Sequence, residues 1–299
     1  MPRIDAHLHV FTKVTPEFPR EATPICPAER EEPVEKLLDV MEKHQIDQAV
    51  LVQIGGTGIE HHSYLLHCLN RYPDRFLGIG VVPINHPDPT EHMSELSECT
   101  GLIGFRLFEL GGPRDIFETK DVREIKAYHI WKCAAEKDYV LWLYPRSIDA
   151  HLLPYLIQEF PQVRVVLNHL GMTPGKGKFT LDELGRPQIQ VSGYNLNMHT
   201  TYRLARYENV TVHLSGQYAF SKQDYPYKDL AGMHHNLLND FGSKRLMWAT
   251  DFPWILEEPG YGELTSVIEK LLPNLSQREL DDIMGGNAKR ILRFPNRNT

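Results

Sequence analysis

Residues 4–10 read IDAHLHV, and residues 33–53 read PVEKLLDVMEKHQIDQAVLVQ. In the first stretch Ile4, Ala6, Leu8 and Val10 alternate with Asp5, His7 and His9, the period of two that a half-buried strand shows. In the second, Val34, Leu37, Leu38 and Met41 recur at i, i+3, i+4 and i+7, one face of a helix, and Pro33 suits its first position. A second strand, QAVLVQ at 48–53, follows directly. This strand–helix–strand unit recurs along the chain. Further strands are expected at 76–82, 102–107, 139–144, 163–169, 210–215 and 245–250, which makes eight. Leu152, Leu153, Leu156, Ile157 and Phe160 form another helical stripe, and Leu264, Val267, Ile268, Leu271 and Leu272 a third. Ser276 with Glu279 reads as a capping box that opens a final helix. About eight strand–helix units predict an α/β fold, a distorted (β/α)8 TIM barrel, with a doubly wound open sheet as the alternative.

Composition agrees with such a chain. Its 299 residues are 41% hydrophobic and 24% charged, enough to bury a large core, and they are expected to form one domain spanning 1–299. Net charge is −7, which argues against a nucleic-acid partner. The N-terminus lacks the apolar run of a signal peptide, and no apolar run reaches membrane-spanning length. The four cysteines, Cys26, Cys68, Cys99 and Cys133, are scattered, which argues against a disulfide framework. The expectation is a cytoplasmic protein acting on a small molecule, with no membrane partner and a homo-oligomer left open.

Long connections follow strands: residues 11–32, 170–198 and 216–231. In a barrel such loops emerge at the C-terminal face and wall the active site. Residues at strand tips are therefore the candidates for chemistry. The histidine count is high at 15, so a His-x-His pair alone is expected about 0.75 times by chance. Its context makes it informative. Period two puts His7 and His9 on one face of the first strand, facing into the barrel. His169 ends the sixth apolar run and Asp251 ends the eighth. Three imidazoles and a carboxylate at the tips of strands 1, 6 and 8 suit a divalent ion. Arg106, Tyr144, Arg146, Gln53 and Ser215 also fall at strand ends and are candidate substrate contacts. An arginine there suits a carboxylate. The pairs His61–His62 and His234–His235 read as structural or solvated.

With those residues in place, the chain resembles the amidohydrolase superfamily, in the amidohydrolase-related branch that contains lactone hydrolases and some decarboxylases. The resemblance rests on IDAHLHVF at the start, VLVQ, GFRLF and VVLNHLG on strands 2, 4 and 6, and DELGRP in the long loop. It continues through VTVHLSG, RLMWATDFPW and GGNAKRIL. The likeness is greatest to the lactonase group, with its pyrone-dicarboxylate and sugar lactone hydrolases. It implies a site built from His7, His9, His169 and Asp251. Zinc is the ion it favours, although metal use in the group is not uniform and metal-free catalysis stays open. Two departures stand out. Asn168 occupies a position where relatives often carry Asp, and His213 one where they often carry Lys, so His213 is either a fourth imidazole of the site or a core residue.

The expected reaction is hydrolysis of a small lactone by water that Asp251 deprotonates, with His169 among the groups stabilising the oxyanion. A metal-dependent decarboxylase using His213 as proton donor, or a lactone isomerase, is the alternative. A non-enzymatic binding module is disfavoured by the intact histidine and aspartate set. Arg106, Arg146, Lys176, Lys178 and several loop tyrosines predict a polar pocket for a carboxylated or hydroxylated lactone.

Overall fold

The computed structural model describes residues 1–112, 121–172, 179–189 and 201–295. All eight expected strands are present and parallel: β1 (Ile4–Leu8), β2 (Gln48–Val52), β3 (Phe76–Val81), β4 (Leu102–Leu107), β5 (Val140–Leu143), β6 (Val165–Leu167), β9 (Val210–Leu214) and β10 (Leu246–Trp248). They pair in the order β1-β2-β3-β4-β5-β6-β9-β10. The gap between the first and last strands is bridged by Asp251 N to His7 O at 3.0 Å and His9 N to Phe252 O at 2.8 Å. The sheet thus curls into a nearly closed barrel, and the open-sheet alternative is set aside. Two short antiparallel strands, β7 (Phe179–Leu181) and β8 (Pro187–Ile189), lie within the long connection after β6 and were not anticipated.

Helices cover the outside as the patterns predict. Val34–Lys43 buries Val34, Leu37 and Met41 against the barrel, with Pro33 one position earlier than expected, at the N-cap. The Ser276–Glu279 capping box is formed. The stripe from Leu264 to Leu272 is split at Thr265–Ser266 into Tyr261–Leu264 and Val267–Leu271. All four cysteines are free thiols. Among the described residues no helix is long and apolar enough to cross a membrane.

Inside and outside alternate along the strands. Val50, Val52, Ile79, Val140, Trp142, Val166 and Met247 fill the barrel interior. Their neighbours Ala49, Leu51, Leu141, Leu143, Val165 and Leu167 pack outward with the helices. The first strand breaks this rule. Asp5 pairs with Ala49 and Leu8 with Leu51, so three steps on β1 oppose two on β2, a β-bulge. Ile4 and Ala6 consequently join the interior cluster, whereas Leu8 and Val10 lie in the outer one. Asp5 faces the outer layer as well, bonded by the Thr250 hydroxyl and by Tyr261 Oη at 2.9 Å. The inward face predicted for His7 and His9 therefore holds, but the strict alternation behind it does not, because Ile4 and Ala6 also point inward. The extra residue re-aims the strand so that His7 enters the barrel one step after Ala6.

Candidate functional site

At the C-terminal ends of these strands lies a cavity of about 310 Å³. Asp251, His169, His9, Arg106, Tyr144 and Gln53 line it. His7, His213 and Ser215 sit buried around them. Arg146 does not join the group. It is exposed at the surface and pairs with Glu109 at 2.9 Å. Lys176 and Lys178 fall outside the described residues.

Two of the candidate residues stand in the left-handed region of backbone space, Asp251 at φ +62 and His169 at φ +46. Such conformations cost roughly 1–3 kcal/mol for non-glycine residues and cluster where function holds them. Gly216, at φ +73, makes room for His169: a Cβ there would come within 2.8 Å of His169 Nδ1.

Asp251 is the hub. Its Oδ2 accepts a hydrogen bond from Tyr218 Oη at 2.7 Å. Its Oδ1 faces His7 Nε2 at 3.6 Å and His9 Nε2 at 3.5 Å. Burial pushes the carboxyl up, but the imidazoles of His169 and His9 and the Tyr218 hydroxyl outweigh it and hold the group at about 2. Asp251 is therefore ionised at neutral pH. Burial drives His169 down to about 4, with Arg106 acting in the same direction, so this ring is neutral. Burial also drives His7 and His213 well below the ordinary histidine range.

Arg106 is the one arginine or lysine among the described residues that line the cavity. It is buried, and no carboxylate lies within ion-pair distance of it among the described residues. Its guanidinium packs over the rings of Phe108 at 4.7 Å and Tyr144 at 5.4 Å. Burial lowers it to about 10, which leaves it charged at neutral pH. Asp251 acts on it from beyond ion-pair distance, and a buried cation with no carboxylate in contact is costly unless an anionic ligand completes it. The Arg106 Nε and the Tyr144 hydroxyl have no partner within the protein.

The remaining walls are more apolar than the loop composition suggests. Phe108, Phe179, Phe220, Trp254, Ile25 and Ile189 face the cavity. Of the polar groups that sequence placed there, Arg146 turns outward, and Gln53 lines the cavity but spends its amide nitrogen on the carbonyls of Ile54 and His61 at 2.9 and 2.8 Å. Ser215 receives His169 Nδ1 at 3.1 Å and orients that ring. The His61–His62 and His234–His235 pairs are structural or exposed as expected. His62, for example, accepts from Val81 N at 3.0 Å. Tyr218 and Trp142 were not singled out as site residues. For Trp142 a signal existed, because period two puts it on the same strand face as Tyr144.

His7, His169 and Asp251 each offer a donor atom, all within 4.8 Å of one another, a spacing that one metal ion could bridge. His9 falls outside that trio. The protons match the distances at His169 but not at His7. A neutral imidazole carries one N–H and one lone pair, and the hydrogen-bond partners assign which is which. The His9 Nδ1 must donate to Val52 O at 2.8 Å, which turns its Nε2 toward Asp251, the nitrogen a ligand would use. His7 is set the other way. Its Nδ1 receives the Trp142 indole N–H at 2.8 Å, so the proton sits on Nε2. At His169, Nε2 faces the Arg106 guanidinium at 3.5 Å, a group that only donates, so this nitrogen carries the lone pair a ligand needs, although Arg106 competes for it. The trio fits an ion by spacing, and by proton placement at His169 but not at His7.

The buried histidines also set an acid limit on stability. His62, His169 and His234 are each held at about 4 by burial, below the unfolded value of 6.5. In the window from 6.5 down to 4 the unfolded chain binds more protons, so stability is full above 6.5 and is lost as pH falls. Each ring loses about 1.4 kcal/mol per pH unit there. Asp5, raised by burial to about 6, acts with the opposite sign between 3.8 and 6 and offsets about one ring. The unfolding midpoint should drop by roughly 5–10 °C between pH 7 and 5.5. Calorimetry at both values checks this, and an unchanged or higher midpoint at pH 5.5 contradicts it.

Comparisons with known proteins agree with this fold. Residues 4–294 match the family model described as Amidohydrolase (Amidohydro_2). An amidohydrolase from Burkholderia multivorans, solved with bound zinc, is 22% identical, with a TM-score of 0.72 over 99% of this chain and 100% of that one. A probable 2-pyrone-4,6-dicarboxylic acid hydrolase from Acinetobacter baumannii, solved with citric acid, is 20% identical, with a TM-score of 0.71 over 98% and 100%. A 2,6-dihydroxybenzoate decarboxylase from Rhizobium is 14% identical, with a TM-score of 0.62 over 98% and 99%. At these identities the likeness is one of fold.

Proposed function

The chain belongs to the amidohydrolase family, and on that premise we propose that it hydrolyses a small cyclic ester carrying one carboxylate. The observation that carries the reading is a buried, ionised Asp251 at the floor of a cavity whose wall holds one unpaired cation, Arg106. The substrate carboxylate binds the Arg106 guanidinium, and the ring packs against Phe108, Phe220 and Trp254. Asp251 Oδ1 takes a proton from water, whose oxygen attacks the ester carbonyl carbon. The unpartnered Tyr144 hydroxyl is the donor for the oxyanion that develops. When the carbon–oxygen bond of the ring breaks, Asp251 returns the proton to the leaving alkoxide. The product is the open hydroxy acid, and atoms and charge balance with one water consumed.

A probable pyrone-dicarboxylic acid hydrolase among the similar structures supports the ester class. The single arginine argues for a monocarboxylate over a dicarboxylate, because a second buried anion would have no partner among the described residues. Decarboxylation would need a proton donor over the substrate. The neutral His213 is buried beneath His7, their rings 5.4 Å apart, and does not line the cavity.

A panel of lactones and aromatic acids, followed by indicator proton release and by CO2 detection, tests the reading. The expected outcome is proton release from a monocarboxylated lactone, with a product heavier by one water and no CO2. Release of CO2 from an aromatic acid, with every lactone inert, overturns it in favour of the lyase.

A further inference from the structure

We propose that Trp142 is a positioning residue that locks His7 as its Nε2–H tautomer, turning an N–H toward Asp251 and withdrawing His7 from any metal's ligand set. The two neighbours of this ring demand the same state from opposite sides. The Trp142 indole can only donate, and its N–H reaches His7 Nδ1 at 2.8 Å. The ionised Asp251 can only accept, and its Oδ1 lies 3.6 Å from His7 Nε2. With the proton on Nδ1 instead, two N–H groups would confront each other on one side and a lone pair would face a carboxylate on the other.

The arrangement is built in. Trp142 is fully buried on β5, and its ring packs on His213 at 4.9 Å, so it has little room to turn away. Neither His7 Nε2 nor Asp251 Oδ1 has a hydrogen-bond partner in the protein, and at 3.6 Å the two face each other without bonding. The His7 N–H therefore points at the Asp251 oxygen that Tyr218 leaves free, in a charge–dipole contact longer than a hydrogen bond. In histidine metal ligands the order is reversed, with an acceptor holding the second nitrogen's proton. Here a donor stands in that place.

The test needs no substrate, so it stands or falls apart from the lactone reading. Nitrogen-15 histidine spectra of the wild-type protein, with His7 assigned by its loss in His7→Gln, should show Nε2 protonated and Nδ1 bare. Titration with cobalt(II) alone, followed by its visible bands, should show affinity rising ~10–100-fold in Trp142→Phe, the range by which second-sphere partners tune metal sites. A wild-type His7 protonated on Nδ1 overturns the proposal, as does equal cobalt affinity in wild type and Trp142→Phe. If Trp142→Phe does not fold, the wild-type spectrum decides alone.

Discussion

Asp251→Asn should lower kcat at least ~100-fold on the lactone that the panel identifies, the low end for a lost general base. The amide keeps the size of the carboxylate, and its oxygen can still accept the Tyr218 hydroxyl now bonded at 2.7 Å. It cannot take the proton of water. Folding should survive, because asparagine tolerates the left-handed backbone that Asp251 adopts at φ +62. One cost remains: the new N–H2 faces the Nε2–H of His7, a donor against a donor, worth about 1–3 kcal/mol if unrelieved. Steady-state rates and a thermal melt on the same preparation separate the two effects. Activity within a few-fold of wild type would make Asp251 a turn residue and remove the proposed mechanism.

Arg106→Met should divide substrates by charge. On a monocarboxylated lactone, kcat/KM should fall ~10–150-fold, the equivalent of one hydrogen-bonded charge interaction of roughly 1.5–3 kcal/mol. On a neutral lactone of the same ring size it should change only a few-fold. Stability should hold or rise, because the substitution removes a buried cation that has no carboxylate within ion-pair distance among the described residues. That gain is partly offset by the lost packing over Phe108 and Tyr144. Measuring both substrates and the melting curve together distinguishes a binding role from a structural one. Equal losses on both lactones would mean that Arg106 supports His169, 3.5 Å away, and does not read the substrate's charge.

Much of this arrangement is legible in the chain before any coordinates. The eight strands and their outer helices follow from local periodicity, because each short segment must bury one face whatever lies elsewhere. The positions of His9, His169 and Asp251 at the cavity follow too, since a residue just past an apolar strand core emerges at the C-terminal face. What those residues do to one another was decided only by tertiary structure. The bulge between Asp5 and Leu8 is a property of the pairing with β2, and a period-two reading of IDAHLHV has no means of registering an extra residue. The proton on His7 is set by Trp142, 135 residues away, and the free oxygen of Asp251 by Tyr218, 33 residues away. Arg106 and Arg146 look alike as strand-end arginines, yet one is enclosed by aromatic rings and the other pairs with Glu109 at the surface. Hydrophobic period acts within a dozen residues and is written in the order of the chain. Proton placement and charge pairing depend on which strand tips meet when the barrel closes, and only the closed barrel brings those atoms within reach.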